Sequence, residues 1–325
     1  MALNMELSVM SPVLAAMNLE DSLAYLKKLG VDSFEIGAGG YPGKAHLDPK
    51  EYLGNPEKIE ALKALLKKYD MKISAVACHG NPVHPNKEIG AKFHEEFVDA
   101  MKIAVALGTD TIIGFSGCPG DCEKSENPNW VTCAWPPEYL DILEWQWESV
   151  IIPYWKKTAA LAKEIGIKKI AFEMHPGFCV YNPSTLLRLR AAVGDIIGAN
   201  VDPSHLFWQG IDPCEAIKML EGAIYHFHAK DTKIDRANTE KIGVLDTQSY
   251  GDVKNRSWVF RTVGYGHGKE VWNNIISALK TVGYDGAISI EHEDALMSPK
   301  EGLEKAVALL KDCIIYEKAG EMWWA

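Results

Sequence analysis

The sequence predicts an α/β protein that folds as a single (β/α)8 barrel over residues 1–325, with long loops after strands 4 and 7. Three observations support this fold. Eight short apolar runs alternate with helical patterns along the whole chain. Polar or charged residues follow most of these runs, and no stretch resembles a linker between two domains. Eight strand–helix units favour a closed barrel over an open doubly wound sheet, which is the structural alternative.

The predicted strands are rich in Ile, Val, Phe and Ala. In chain order they are Leu7–Met10, Ser33–Ile36, Lys72–Cys78, Thr111–Phe115, Lys169–Phe172, Ile197–Val201, Ile224–Phe227 and Ala287–Ile290. Most of these runs lack the alternation of apolar and polar residues that marks a half-exposed strand, so we expect burial on both faces. Strands that alternate with helices are expected to be parallel, with right-handed crossovers.

Several predicted helices begin with a recognisable signal. A capping side chain stands directly before a proline that occupies the first helical position. These helix starts are Asn55-Pro56, Asn182-Pro183, Asp212-Pro213 and Ser298-Pro299. Two further stretches, 116–137 and 232–268, are long for loops between a strand and a helix. In a barrel both would leave the catalytic face, where long loops commonly serve function or assembly.

Composition argues against several classes of function. The chain has 34 basic and 44 acidic residues, and its formal charge of −10 does not fit a nucleic-acid-binding protein. No apolar run approaches the roughly 18 residues needed to cross a membrane. The seven cysteines are odd in number and scattered, which favours free thiols. We therefore expect a cytoplasmic protein with neither a nucleic acid nor a membrane as partner.

The strongest site signal lies at the ends of strands five to eight. These strands end in Glu173, Asp202, His228 and Glu291. An unpaired charge after a buried apolar run is very costly, so the four residues need a common compensating partner. Three carboxylates and one imidazole suit Mn²⁺, Mg²⁺ or a similar divalent ion. A salt-bridged or capping role is the alternative for any one of them.

Strand pleating helps to choose between neighbouring residues. Glu291 and Glu293 point to the same face, and Glu291 is preferred because it follows the strand directly, whereas Glu293 lies beyond it. His226 and His228 also share a face, and the deeper His226 is expected to be a core or supporting group. His228 is therefore the expected ligand.

Other polar and aromatic residues are candidates for binding a substrate. His175 and His205 lie past their strand ends, where contact with a substrate fits them better than metal binding. Lys230 either stabilises negative charge on an oxygen or pairs with Asp231. The remaining candidates are Glu35 and His79, from strands two and three, and Trp208, which could pack against a sugar face or serve ordinary loop packing.

These motifs resemble those of the xylose-isomerase-like TIM barrels. The segments that carry the resemblance are Phe172-Glu173-Met174-His175, Asn200–His205, His226–Asp231 and Ser289–Glu293. The resemblance covers essentially the whole chain. It points to the sugar phosphate isomerase/epimerase members, which include ketose 3-epimerases and inositol-catabolism enzymes.

The resemblance also implies roles for particular residues. In ketose 3-epimerases, the metal is held by a Glu, an Asp, a His and a Glu from strands five to eight. Those four positions match Glu173, Asp202, His228 and Glu291. The two glutamates also form the acid/base pair, which implies a catalytic role for Glu173 and Glu291. His205 matches a histidine that contacts substrate oxygen. The family's arginine after the strand-seven histidine has no clear match, and Arg236 is only a candidate.

The sequence thus predicts a metal-dependent sugar or polyol isomerase or epimerase that works through an enediolate. It would use one divalent ion, with Mn²⁺ expected first and Mg²⁺, Co²⁺ or Zn²⁺ as alternatives. Its partner would be a small sugar or polyol, and a homo-oligomer remains open. Two other functions stay open: a metal-dependent lyase or dehydratase acting on a keto-inositol or 3-keto-glycoside, and a non-catalytic binding or assembly barrel.

Overall fold

A computed structural model describes residues 5–318 and 320–324 of the chain. The strands in these residues are β1 (Glu6–Met10), β2 (Ser33–Gly37), β3 (Lys72–Ala77), β4 (Thr111–Gly114), β5 (Lys169–Glu173), β6 (Ile197–Val201), β7 (Ile224–Ala229), β8 (Asp231–Ile234), β9 (Trp258–Arg261) and β10 (Ala287–Ile290). Eight of them form a closed parallel barrel in the order β1-β10-β7-β6-β5-β4-β3-β2. The predicted barrel is confirmed, and the open-sheet alternative is wrong because β1 pairs with both β2 and β10.

The predicted strand bounds match the observed ones at β6 and β10 and differ by one or two residues at the other barrel strands. The largest difference is at β7, which was expected to end at Phe227 but continues to Ala229. His228 and Ala229 remain paired with Ser289 and Ile290 of β10. A polar residue can continue a barrel strand in this way because its backbone is paired with a neighbouring strand.

Helices connect the barrel strands and cover their outer faces. They are α1 (Leu19–Leu29), α2 (Pro49–Tyr52), α3 (Pro56–Lys68), α4 (Lys87–Leu107), α5 (Glu138–Trp145), α6 (Ile152–Ile165), α7 (Pro183–Val193), α8 (Pro203–Trp208), α9 (Pro213–Met219), α10 (Arg236–Ile242), α11 (Lys269–Thr281) and α12 (Pro299–Cys313). The four predicted starts at α3, α7, α9 and α12 are confirmed, since each capping side chain accepts a backbone N–H of the first turn. Within the described residues, every helix is too short or too polar to cross a membrane.

The two long stretches differ in structure. Residues 116–137 contain no helix or strand, and Gln146 holds part of this loop by donating its side-chain amide to the carbonyls of Pro119, Gly120 and Asn129. Residues 232–268, expected to be a polar loop, contain most of the antiparallel hairpin β8–β9 and the helix α10. The buried Asp231 carboxylate fixes the end of this segment by accepting the backbone N–H groups of Gly264, Gly266 and His267.

Strand pleating divides the buried side chains between two environments. Neighbouring residues of a strand point to opposite faces. Ile112 belongs to the large core under the helices, while Ile113 packs with Ala75 and Ala171 in a small separate cluster. Ala171 and Glu173 of β5 are two residues apart and therefore share a face. The same alternation turns the polar residues at the strand ends towards the centre of the barrel.

Candidate active site

The four predicted metal ligands converge at the carboxyl end of the barrel. Glu173 ends β5, His228 lies in β7 and Glu291 follows β10. Asp202 follows β6 and caps α8 through Oδ1, which accepts the backbone N–H of Ser204. One donor atom from each of the four lies within 4.8 Å of the others. Strands distant in sequence therefore bring three carboxylates and one imidazole to a single point.

The state of the donor atoms fits a divalent cation. Asp202 Oδ2, His228 Nδ1 and Glu291 Oε2 are buried and make no hydrogen bond of good geometry, although Asp202 Oδ2 faces the Lys230 ammonium group and the other two atoms face each other. His228 Nδ1 lies 2.8 Å from Glu291 Oε2 and 3.2 Å from Glu173 Oε2. Buried polar atoms without partners are costly, and a cation bound by these four side chains would give each of the three a partner. Carboxylate oxygens and imidazole are suitable donors for Mn²⁺, Mg²⁺, Co²⁺ or Zn²⁺.

Glu35 supports the imidazole of His228 from below. Both Glu35 carboxylate oxygens lie 3.0 Å from His228 Nε2, and one accepts the hydroxyl of Ser289 at 2.6 Å. Burial opposes ionisation of Glu35, but His228 and His226 hold the pKa of this carboxyl below its usual value. Histidine ligands of metals typically donate their second ring N–H to such a carboxylate. The expected pocket-lining residue Glu35 is thus fully buried behind His228 and does not border the cavity.

Histidines surround the Glu173 carboxylate. His205 Nε2 lies 3.1 Å from its Oε1, and His79 Nε2 lies 3.0 Å from its Oε2. Burial favours the neutral acid, but hydrogen bonds with His205, His228 and His79 outweigh it and hold the pKa of Glu173 well below the ordinary value. Glu173 therefore stays a carboxylate although it is only 3% exposed.

Lys230 is the buried cation of the site. Its Nζ lies 2.9 Å from Glu291 Oε1, 3.2 Å from Asp202 Oδ2 and 3.3 Å from Glu293 Oε2. Burial lowers the lysine pKa, but these carboxylates raise it well above the ordinary value. The alternative partner Asp231 is wrong, because its carboxylate instead pairs with His267 Nδ1 at 2.8 Å and with backbone N–H groups.

A cavity of about 490 Å³ opens above the cluster. Five residues that the sequence proposed border it: Glu173, Glu291, Lys230, His79 and His175. Asp202, His205 and His228 lie beneath, each at most 1% exposed. His226 lies deeper in the barrel, with Nδ1 3.1 Å from Asn200 Oδ1, in the supporting position expected for it.

His175 lies beside His205 with 4.0 Å between the ring centroids. Its Nδ1 lies 2.6 Å from the carbonyl oxygen of Pro176, which fits an N–H donated to that oxygen. Burial and the neighbouring His205 lower the pKa of His175 to about 3. His175 is therefore a neutral imidazole at the edge of the cavity.

Four of the proposed substrate-binding residues do not border this cavity: Glu35 and His205 lie beneath it, and Trp208 and Arg236 lie away from it. Trp208 is buried and stacks on Trp258, with 4.7 Å between the ring centroids. Arg236 lies on α10 with its side chain 91% exposed, and its guanidinium pairs with Glu240 at 2.7 Å. Packing against Trp258 explains the position of Trp208, and the ion pair with Glu240 explains that of Arg236, without contact to a substrate.

Sequence reasoning missed several residues that border the cavity. Glu293 is one, and the aromatic residues Tyr41, Phe115 and Phe178 are others. All four follow barrel strands at their carboxyl ends, and Phe115 was the last residue of the predicted fourth strand. Their position directly after a strand would have identified these residues, but only polar residues at such positions were considered as candidates.

Comparisons with known proteins agree with this fold. Residues 23–313 match the family described as xylose isomerase-like TIM barrel. The chain is 41% identical to the uncharacterised protein YfiH of Bacillus subtilis (strain 168) over 313 residues, covering 95% of this chain and 99% of that protein. It is 25% identical to an inosose dehydratase of Clostridium perfringens (strain ATCC 13124) over 289 residues, covering 86% and 87% of the two chains.

A solved structure of an IolI protein with a bound zinc atom is similar in fold. The TM-score is 0.65 at 19% identity, and the match covers 97% of this chain and all of that chain. The family match spans most of the chain and includes every strand of the barrel except β1. The chain belongs to the xylose isomerase-like TIM barrel family.

Proposed function

We propose that this protein is a divalent-metal-dependent sugar or polyol isomerase or epimerase that works through an enediolate. The observation that carries the proposal is the convergence of Glu173, Asp202, His228 and Glu291 below an open cavity, with three of their donor atoms buried and without a hydrogen bond of good geometry. A divalent ion held there would act as a Lewis acid towards a carbonyl oxygen. We propose Mn²⁺ as this ion, with Mg²⁺, Co²⁺ and Zn²⁺ as alternatives.

Glu173 and Glu291 are the proposed acid/base pair. They lie on barrel strands separated by three steps, and both border the cavity. One carboxylate removes the proton from the carbon next to the substrate carbonyl, and the other returns a proton. Return to the opposite face of the same carbon gives an epimer, and return to the neighbouring carbon gives an isomer.

We propose that Lys230 and His205 stabilise negative charge on substrate oxygen, Lys230 at the cavity wall and His205 from beneath the cavity. The raised pKa of Lys230 keeps its ammonium group charged, so it is suited to hold charge and not to exchange protons. Fixed cations and donors aimed at a developing oxyanion are commonly the largest single contribution to catalysis. His79 and His175 are the proposed polar contacts along the cavity wall.

A dehydratase is the second candidate, and Glu293 favours it. Glu293 borders the cavity, and one of its oxygens lies 3.3 Å from Lys230 Nζ. Lys230 lowers the pKa of Glu293, but partial desolvation and Glu291 together raise it above the ordinary value, although the side chain is 53% exposed. A glutamate with a raised pKa at the cavity wall is suited to act as the general acid for a departing hydroxyl. The similarity to an inosose dehydratase supports the same reading.

Proton exchange in D₂O tests the first proposal against the second. Metal-loaded protein is incubated with a panel of ketoses and keto-inositols and followed by NMR. Deuterium at the carbon next to the carbonyl, with no loss of water from the substrate, supports the isomerase or epimerase. An unsaturated product supports the dehydratase.

Metal removal and Glu173→Gln test for the non-catalytic barrel. The proposed chemistry predicts that both the metal-free protein and the Glu173→Gln variant lose deuterium exchange at the carbon next to the carbonyl. If the purified protein holds no divalent ion and Glu173→Gln changes neither ligand binding nor activity, the catalytic proposals fail.

We further propose that residues 1–325 form one domain. The barrel strands extend from β1 to β10, and both long loops leave this same barrel. Residues 1–4, 319 and 325 lie outside the described part of the chain. A cytoplasmic location is proposed from the seven cysteines, all of which have free thiols.

A further inference from the structure

The cavity has an apolar side that the proposed proton transfer does not use. Eight apolar or aromatic residues border the cavity: Met10, Pro12, Val13, Tyr41, Pro42, Phe115, Phe178 and Pro299. They come mainly from the segments after β1, β2, β4 and β5, whereas Lys230, Glu291 and Glu293 come from the ends of β7 and β10. The cavity therefore has two chemically different parts.

An aromatic group connects the polar floor to the rim. The Phe115 ring lies 4.6 Å from the His79 ring and 4.9 Å from the His175 ring, measured between centroids. Phe178 stacks on Phe115 at 4.2 Å, and Tyr41 lies 6.1 Å from Phe115. Tyr41 is 63% exposed, and its ring also lies 5.4 Å from that of Phe93. An aromatic ligand could stack on such rings.

The charges of the cavity disfavour an anionic ligand. Among the described residues that border it, Lys230 is the single lysine or arginine, and three carboxylates already lie within 3.3 Å of its Nζ. Glu173, Glu291 and Glu293 all border the cavity. With the carbonyl part of the substrate on the proposed metal ion, a phosphate or carboxylate elsewhere on the substrate would find no lysine or arginine of the cavity wall except the already paired Lys230.

The volume leaves room beyond one sugar ring. At about 490 Å³ the cavity falls in the range of roughly 300–1,000 Å³ that is typical of pockets for drug-sized ligands. We propose that the substrate is an uncharged keto sugar or keto polyol that carries an apolar, preferentially aromatic, substituent. The carbonyl part faces Glu173 and Glu291, and the substituent lies on Tyr41, Phe115 and Phe178. This inference rests on the proposed function, whose chemistry sets the orientation.

Binding of three matched ligands to the Mn²⁺-loaded protein tests the inference. The probes are the methyl 3-keto-glucoside, its phenyl analogue and the 6-phosphate of the methyl compound, with Kd measured by calorimetry. We expect the phenyl compound to bind about tenfold more tightly than the methyl compound, as is typical of an added apolar group in a hydrophobic pocket. We expect the 6-phosphate to bind more weakly than the methyl compound. Equal binding of phenyl and methyl compounds, or tighter binding of the phosphate, overturns the inference.

Two variants locate the apolar subsite. Tyr41→Ala is expected to remove most of the phenyl preference, while Tyr139→Ala, a change at a tyrosine that is 38% exposed and lies outside the cavity, preserves it. Equal weakening of phenyl and methyl binding by Tyr41→Ala would indicate a structural role and overturn the assignment of this ring.

Deuterium exchange on the same ligands separates failure of this inference from failure of the proposed function. Exchange on the methyl compound without a phenyl preference leaves the function standing and removes the apolar subsite. A phenyl preference without exchange, or without any need for metal, supports the subsite and contradicts the proposed function.

Discussion

Replacing Glu35 with glutamine is expected to weaken metal binding without touching a proposed metal ligand. In the native structure His228 Nε2 faces both Glu35 oxygens at 3.0 Å, and Nδ1 faces Glu173 and Glu291. Metal binding through Nδ1 needs the remaining ring proton on Nε2, where Glu35 accepts it. The glutamine amide can instead donate to Nε2, which moves the ring proton to Nδ1. A protonated Nδ1 cannot bind a metal, so the variant favours the wrong tautomer.

The size of the effect follows from the lost hydrogen bond. A buried hydrogen bond to a charged group is worth about 1.5–3 kcal/mol. That range corresponds to a roughly 10- to 100-fold loss of metal affinity, which is also typical when the group behind a metal-binding histidine is removed. The metal-free protein also contains the buried contact between Glu35 and His228, so its stability should fall as well, and Kd is measured well below the unfolding temperature of the variant.

The assay is a Kd for Mn²⁺, measured by competition with a chelator, together with the thermal unfolding of metal-free protein. Ser289→Ala is the matched control, since it removes a second partner of Glu35 but leaves the carboxylate on His228. We expect a smaller loss of affinity for this control. If Glu35→Gln binds Mn²⁺ within twofold of the native protein, the reasoning about the tautomer is refuted.

Three further changes probe other parts of the structure. Asp231→Ala should cost about 3 kcal/mol in the free energy of unfolding, because it removes the acceptor of the partly buried N–H groups of Gly264, Gly266 and His267. A loss below about 1 kcal/mol, measured by urea unfolding, would contradict this. Lys230→Met should lower kcat about 100-fold with the metal content unchanged, and a kcat within threefold of native would exclude the proposed charge role. Burial opposes ionisation of Glu291, but Lys230 and other partners lower the pKa of this carboxyl to about 2. The ionised Glu291 therefore stabilises the fold above the ordinary glutamate pKa, and this contribution is lost as the pH falls towards 2. Glu291→Gln should destabilise the metal-free protein more at pH 6 than at pH 2.5, and an equal loss of unfolding free energy at both pH values would contradict this pH dependence.

Local patterns in the sequence were sufficient to predict the barrel. Apolar runs buried on both faces predicted the strands, and caps such as Asn182 and Ser298 predicted helix starts, because both depend on neighbours within a few residues. The same reasoning predicted that Glu173, Asp202, His228 and Glu291 would lie together, since parallel strands in a barrel end at the same rim.

What each side chain touches was decided by the tertiary structure. Nothing near Glu35 in sequence indicates that it lies behind His228, which is 193 residues away, and nothing near Lys230 shows that its partners are Asp202 and Glu291 and not the adjacent Asp231. Tyr41, Phe115 and Phe178 likewise meet only after the barrel closes. The sequence by itself determined the strands, the helices and the rim on which the polar residues gather. Which side chains contact each other at that rim depends on packing between segments that are distant in sequence. Only the tertiary structure therefore decided which carboxylates pair with the same cation and which rings border the cavity.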